Sequence, residues 1–163
     1  MRLRDFRLLI GASLSMGLAG SMIEVAIGWQ VYDLHQRALD LGLVGLAEFL
    51  PLPLLALPAG QLADRFSRKL VYAIAVAVNL AVALALVAVT VAGVRELWVF
   101  LALAATNGVA GALGAPAGRA MPPALVPPEL LSSAFALRSV VMRGSGIAGP
   151  AIGGLLFAIE GEV

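Results

Sequence analysis

The stretch that decides the fold is residues 70–92, LVYAIAVAVNLAVALALVAVTVA, which contains no charged residue. At about 1.5 Å per residue, a helix of this length crosses a hydrocarbon core of about 30 Å. The unbroken run of Leu, Ala and Val lacks the period-two alternation of a transmembrane β-strand. The stretch therefore predicts a transmembrane α-helix.

The rest of the 163-residue chain has the same apolar character. It is 61% hydrophobic and only 13% charged, with a mean hydropathy of +0.97, whereas soluble domains are roughly 45–50% apolar and about 25% charged. We predict an all-α, polytopic membrane helical bundle that forms one membrane domain over residues 1–163. Its five spans are expected at residues 8–32, 41–62, 70–92, 97–117 and 132–158.

The connections between the predicted spans are short, except for the last one. Three of them are too short to hold a domain, so neighbouring helices are expected to run antiparallel. The fourth contains Pro122-Pro123 and Pro127-Pro128, and these pairs are expected to block a helix until about Glu129.

The placement of lysine and arginine predicts the orientation in the membrane. Only Arg37 and Arg95 fall on one side, against seven basic residues on the other: Arg2, Arg4, Arg7, Arg65, Arg68, Lys69 and Arg119. Because cytoplasmic loops carry the excess of positive charge, the N-terminus is expected in the cytoplasm. Within the fifth span, Arg138 is expected to extend towards the interface, and Arg143 to pair with an acid.

The densest group of charges lies in residues 60–69, GQLADRFSRK, between the second and third spans. Gly60 permits close approach of another helix. Asp64 is expected to cap the third helix, and Arg68 follows it at a spacing that suits an ion pair. For Arg68 and Lys69, anchoring of the topology alone is an equal alternative.

This segment resembles the signature G-x-x-x-D-R-x-G-R-R/K of the major facilitator superfamily. Ser67 stands where that signature has a glycine, and the matching positions are Gly60, Asp64, Arg65, Arg68 and Lys69. The resemblance implies a cytoplasmic gate in which Asp64 docks onto a helix of the second half of the transporter.

A second motif lies in the fifth span. Ser145, Gly149 and Gly153 are spaced at i, i+4 and i+8, which predicts a groove for close packing of another helix. Together with Pro150 and Gly154, the segment resembles the antiporter motif of the superfamily, G-P-x-x-G-G. This resemblance implies an exporter, and ordinary packing of small residues is the alternative. Over residues 5–158 the chain resembles the branch that includes the enterobactin exporters.

Ionisable and amide side chains inside spans are candidate functional groups, because they are costly there. Glu24 is expected to line the cavity and to take the proton, alone or together with Glu48, which is expected at about the same depth. Two separate polar anchors are the alternative. Asn107 is expected either to contact substrate or to form an interhelical hydrogen bond. The third span, with Asn79 as its one strongly polar residue, is expected to face lipid.

The resemblance implies the N-terminal part of a secondary exporter in a bacterial inner membrane. It would move small amphipathic molecules such as siderophores or drugs by alternating access, driven by protons. Its partners would be the lipid bilayer, the substrate, protons and a C-terminal half that the sequence lacks. A truncated, non-transporting remnant or an accessory membrane protein is the alternative. We expect no enzyme, cofactor, metal site or nucleic-acid partner, because cysteine is absent and the spans contain no catalytic cluster.

Overall fold

The computed structural model describes residues 2–56, 58 and 66–160, with side chains from residue 4 to residue 156. Its helices form one bundle. In chain order they are α1 (Arg2–His35), α2 (Ala38–Phe49, helical again to Ala56 after a turn at Leu50), α3 (Arg68–Val91), α4 (Leu97–Arg119), the short α5 (Pro122–Leu125), a 3-10 turn (Pro128–Leu130) and α6 (Leu131–Glu160).

Four of these helices, α1 to α4, are long and apolar enough to cross a membrane. The helical membrane bundle is therefore confirmed, while the bounds of the predicted spans stay a prediction. The fifth predicted span corresponds to α6, a helix of 30 residues, and its crossing of the membrane stays a prediction.

At one end of the bundle, called the His35 end, a histidine joins two connections. Nδ1 of His35 lies 2.8 Å from Oδ2 of Asp40, and its Nε2 lies 2.9 Å from the backbone oxygen of Arg95. Both partners are acceptors, so only the doubly protonated ring can donate to both. The contacts bind the α1–α2 connection to the α3–α4 connection, which shows that these helices alternate in direction.

At the opposite end, called the Arg68 end, the start of α3 is tied to the end of α4. Nη1 of Arg68 donates to the backbone oxygen of Ala120 at 2.7 Å, which satisfies a carbonyl left free at the end of the helix. Ser67 is the N-cap of α3, and its Oγ accepts from the backbone N–H of Leu70 at 3.3 Å. Ser67 thus occupies the N-cap position that was expected for Asp64, and Asp64 itself lies outside the described residues.

Contrary to the prediction, the prolines between α4 and α6 do not exclude a helix before Glu129, although the long helix α6 does start near that residue. Pro122 and Pro123 occupy the first positions of α5, where a missing N–H is tolerated because no helical partner exists for it. Pro128 begins the 3-10 turn. α6 then runs without a break from Leu131 to Glu160, with Pro150 inside it.

The helices bury two separate apolar clusters. α4 contacts α1, α2 and α3, while α6 packs mainly on α1. The cluster at the His35 end contains Ile23, Ile27, Val31, Val44, Val82, Leu86, Phe100 and Ala104. The cluster at the Arg68 end contains Phe6, Leu9, Val71, Tyr72, Ala117, Met121, Leu125, Val126 and Ala134. The polar residues described next lie between the two clusters.

Candidate functional site

A cavity of about 240 Å³ opens between the two apolar clusters. All five long helices contribute to its wall, and most of the α4 positions are glycines. The polar and small residues that line it are Ser13, Gly17, Gly20 and Ser21 of α1, Glu48 of α2, Tyr72 and Asn79 of α3, Asn107, Gly108, Gly111 and Gly114 of α4, and Arg138 of α6. We call this the central cavity.

Three side chains on three helices form a chain of hydrogen bonds along the cavity wall. Nδ2 of Asn79 donates to Oδ1 of Asn107 at 2.9 Å, and Nδ2 of Asn107 donates to Oε1 of Glu48 at 2.8 Å. Both asparagines are buried, and such side chains in a membrane helix are retained where they find partners on other helices. The interhelical bond expected as one alternative for Asn107 is confirmed.

The position of Glu48 depends on a close approach of α2 to α4. The space that a Cβ atom at residue 108 would occupy is filled by the backbone oxygen of Glu48. Only glycine allows this contact, which is typical of tightly packed membrane helices. Gly108 therefore sets the distance at which the Glu48 side chain reaches the amide of Asn107.

Glu24 lies close to the cavity without lining it. Its side chain is exposed on α1, whereas Glu48 is half-buried. Of the predicted pair only Glu48 faces the cavity, so the expectation that Glu24 lines it is wrong.

The predicted groove on α6 is confirmed, and α1 packs into it. A Cβ atom at Gly17 of α1 would lie 2.7 Å from Cβ of Ser145, so the helices nearly touch there. Gly149 faces Ser21 of α1, and a Cβ atom at Gly153 would lie 3.5 Å from Cγ1 of Val25 of α1. Oγ of Ser145 donates to the backbone oxygen of Val141 within α6 at 2.8 Å.

The remaining predicted residues lie away from the central cavity or outside the described residues. Pro150 lies within α6, and a Cβ atom at Gly154 would meet nothing within 4 Å. Arg143 is exposed and forms no ion pair among the described side chains, and Lys69 is exposed at the Arg68 end. Three residues of the gating motif, Gly60, Asp64 and Arg65, fall outside the described residues.

Sequence reasoning missed two side chains of α3 that face the cavity. Asn79 is 6% exposed and Tyr72 is 7% exposed, and the Tyr72 hydroxyl donates to Oγ of Ser13 at 3.2 Å. The expectation that the third span is a lipid-facing helix is therefore wrong for this face. Tyr72 and Asn79 are seven residues apart, which places them two turns apart on one face, and this spacing was the available signal.

Sequence reasoning also misplaced Arg138, which was expected to reach the interface. Its side chain is only 7% exposed and turns into the central cavity. Arg138 precedes Ser145 by seven residues, so it shares the face of α6 that packs towards α1. The periodicity of the groove therefore indicated its direction.

Over residues 1–163 the chain matches the family described as transmembrane secretion effectors. It belongs to this family of major facilitator superfamily transporters, and the predicted family is confirmed. The chain is 31% identical over 127 residues to the uncharacterized MFS-type transporter YfiS of Bacillus subtilis (strain 168), covering 78% of this chain and 29% of that protein.

A second relative carries a function in its name. The chain is 33% identical over 147 residues to the enterobactin exporter EntS of Shigella dysenteriae serotype 1 (strain Sd197), covering 90% of this chain and 34% of that protein. The chain thus spans about a third of the length of these curated relatives. No solved structure shows significant similarity to it.

Proposed function

We propose that this chain forms the N-terminal part of a secondary exporter that moves small amphipathic molecules, such as siderophores or drugs, out of a bacterial cell. The observation that carries the proposal is the central cavity, which has a carboxylate in a largely apolar wall. The name of the enterobactin exporter among its relatives supports the export direction. In this proposal the Arg68 end and the N-terminus face the cytoplasm across the inner membrane.

Transport would proceed by alternating access. In major facilitator proteins two halves rock about a site near the middle of the bilayer. The described helices supply one wall of such a site, and a C-terminal half of the protein would supply the other. The gating motif would close the Arg68 end, with Asp64 docking onto that second half. The groove of Ser145, Gly149 and Gly153 would keep α1 and α6 together during the movement.

Proton coupling would take place at Glu48, with Glu24 as its neighbour. The Asn107 amide holds Oε1 of Glu48, and Oε2 has no hydrogen-bond partner among the described residues. A hydrogen bond to an ionised carboxylate is roughly twice as strong as one to a neutral group. Protonation of Glu48 would therefore weaken the link between α2 and α4 at the cavity wall. This gives the proton a means of changing the packing around the substrate.

The test is efflux of the amphipathic dye N-phenylnaphthylamine from cells that express the full-length protein, with and without an uncoupler. We expect efflux above the vector control, loss of that efflux with the uncoupler, and a similar loss in Glu48→Gln. Glu24→Gln should show a smaller loss, because this side chain does not line the cavity. Glu129→Gln, at an exposed residue outside the cavity, is the matched control and should behave as wild type.

Two results would contradict different parts of the proposal. Uncoupler-sensitive efflux that is unchanged in Glu48→Gln would remove the proton role of this residue. A full-length protein that is present in the membrane and gives no efflux above the vector would contradict export of this class of molecule.

A further inference from the structure

Arg138 is a buried cation whose bonding capacity the described residues leave incomplete. Its side chain is 7% exposed, and Nε is buried without a hydrogen-bond partner. The guanidinium fills the space that a side chain at residue 118 would occupy, next to the ring of Tyr72. Gly118 therefore makes room for the cation at the wall of the central cavity.

The charges around Arg138 do not neutralise it. Among the described side chains no carboxylate forms an ion pair with it, and the titratable groups that act on it are Tyr72 and Arg119. A second space of about 330 Å³ adjoins the central cavity, and Arg119, Arg138 and Arg143 all line it. A buried charge without a partner is strongly unfavourable, so this environment favours the entry of an anion.

The opposite end of the central cavity has the opposite character. The carboxyl group of Glu48 lies near Gly108, whereas the guanidinium of Arg138 lies against Gly118. These two glycines are ten residues apart on α4, which corresponds to about 15 Å along the helix. Between them the wall of α4 consists of small residues, including Gly111 and Gly114. The cavity is thus elongated, with a cation at one end, a carboxyl group at the other and small residues of α4 between them.

We infer that Arg138 is an anion-binding site, and that the ligand of the central cavity is an amphipathic molecule with a carboxylate, sulfonate or similar oxyanion at the Arg68 end. The planar fork of a guanidinium binds two oxygens of such a group at once. The apolar body of the ligand would lie along the glycine wall of α4. This inference rests on the proposed function of the cavity as the substrate path, and it specifies the charge of the substrate.

The experiment compares two probes with one aromatic body: anilinonaphthalene sulfonate, which is an anion, and its uncharged parent N-phenylnaphthylamine. Binding is measured by equilibrium dialysis of the full-length protein in lipid nanodiscs, with empty nanodiscs to subtract partition into lipid. The variants are Arg138→Gln, Arg138→Lys, and the control Arg7→Gln at an exposed residue of α1. A thermal unfolding curve for each variant shows whether it is folded.

The anion should lose affinity in Arg138→Gln by about 10-fold or more, because a hydrogen-bonded charge is removed. Arg138→Lys should lose less, since it keeps the charge but not the fork. The uncharged probe should bind all variants alike, and Arg7→Gln should match wild type with both probes.

Three outcomes would overturn the inference, and they can be distinguished. Unchanged anion binding in a folded Arg138→Gln would refute the site while leaving the cavity as a substrate path. An equal loss for both probes would assign Arg138 to the architecture of the cavity, as expected if a carboxylate of the protein itself pairs with it. Failure of both probes to bind wild type would contradict the proposed function and, with it, the inference.

Discussion

Replacing Gly108 with alanine should force α2 away from α4. The Cβ atom would clash with the backbone oxygen of Glu48, and a backbone atom moves only with its helix. Overpacking of this kind costs about 1–3 kcal/mol. Gly111, three residues further along α4, is the matched control, because a Cβ atom there meets nothing within 4 Å. Both substitutions raise helix propensity by the same amount. The difference in unfolding free energy between the two variants therefore measures the clash of the residue-108 Cβ atom with α2.

The measurement is the free energy of unfolding of the full-length protein in mixed micelles, with the fraction of sodium dodecyl sulfate as denaturant. Tryptophan fluorescence and circular dichroism follow the transition. We expect Gly108→Ala to be less stable than Gly111→Ala by about 1–3 kcal/mol. A difference below about 0.5 kcal/mol, the usual range of neutral substitutions, would refute the close approach of α2 to α4 at this residue.

Two other contacts between helices give measurable expectations. In a double-mutant cycle of Asn79→Ala and Asn107→Ala, the coupling energy should be about 0.6 kcal/mol and should not exceed about 1.7 kcal/mol, the range for side-chain hydrogen bonds in membranes. If the two substitutions change the free energy of unfolding additively, these amides do not interact. At the His35 end, His35→Gln should speed amide hydrogen exchange in the connections around Asp40 and Arg95, because an amide cannot donate from two opposite positions. In wild type these amides should be protected at low pH, and the protection should be lost as the pH rises and the His35 ring gives up its second proton. In the variant, only the pH dependence of the chemical exchange reaction itself should remain.

The fold was largely predictable because the chain is so apolar. Runs such as residues 70–92 have one stable form in a bilayer, a helix that satisfies its own backbone groups. The turns were harder. Pro122 and Pro123 suggested a break in the helix, yet the first turn of a helix accepts proline. That α5 begins at these prolines became clear only from the structure, in which α4 ends at Arg119. Ser67 likewise became the cap of α3 because the helix begins at Arg68.

The candidate site was predicted less completely, since it depends on which helix faces meet. Glu48 and Asn107 stood out as polar residues within spans, but their partnership needed the close contact of α2 with Gly108. Arg138 was assigned to the interface because a long side chain near a helix end usually extends there. Its spacing from Ser145 indicated the inward direction, but the room for its guanidinium depends on Gly118 of α4, which no pattern within α6 could reveal.

The glycine wall of α4 has a consequence for how this protein can diverge. Gly111 lines the central cavity, and a side chain there would enter open space without displacing a neighbour. In the proposed transporter, a small side chain at residue 111 would therefore narrow the substrate path while the close contacts at Gly108 and Gly118 stay in place. Gly111 is thus a position at which the shape of the cavity can change without a change in helix packing.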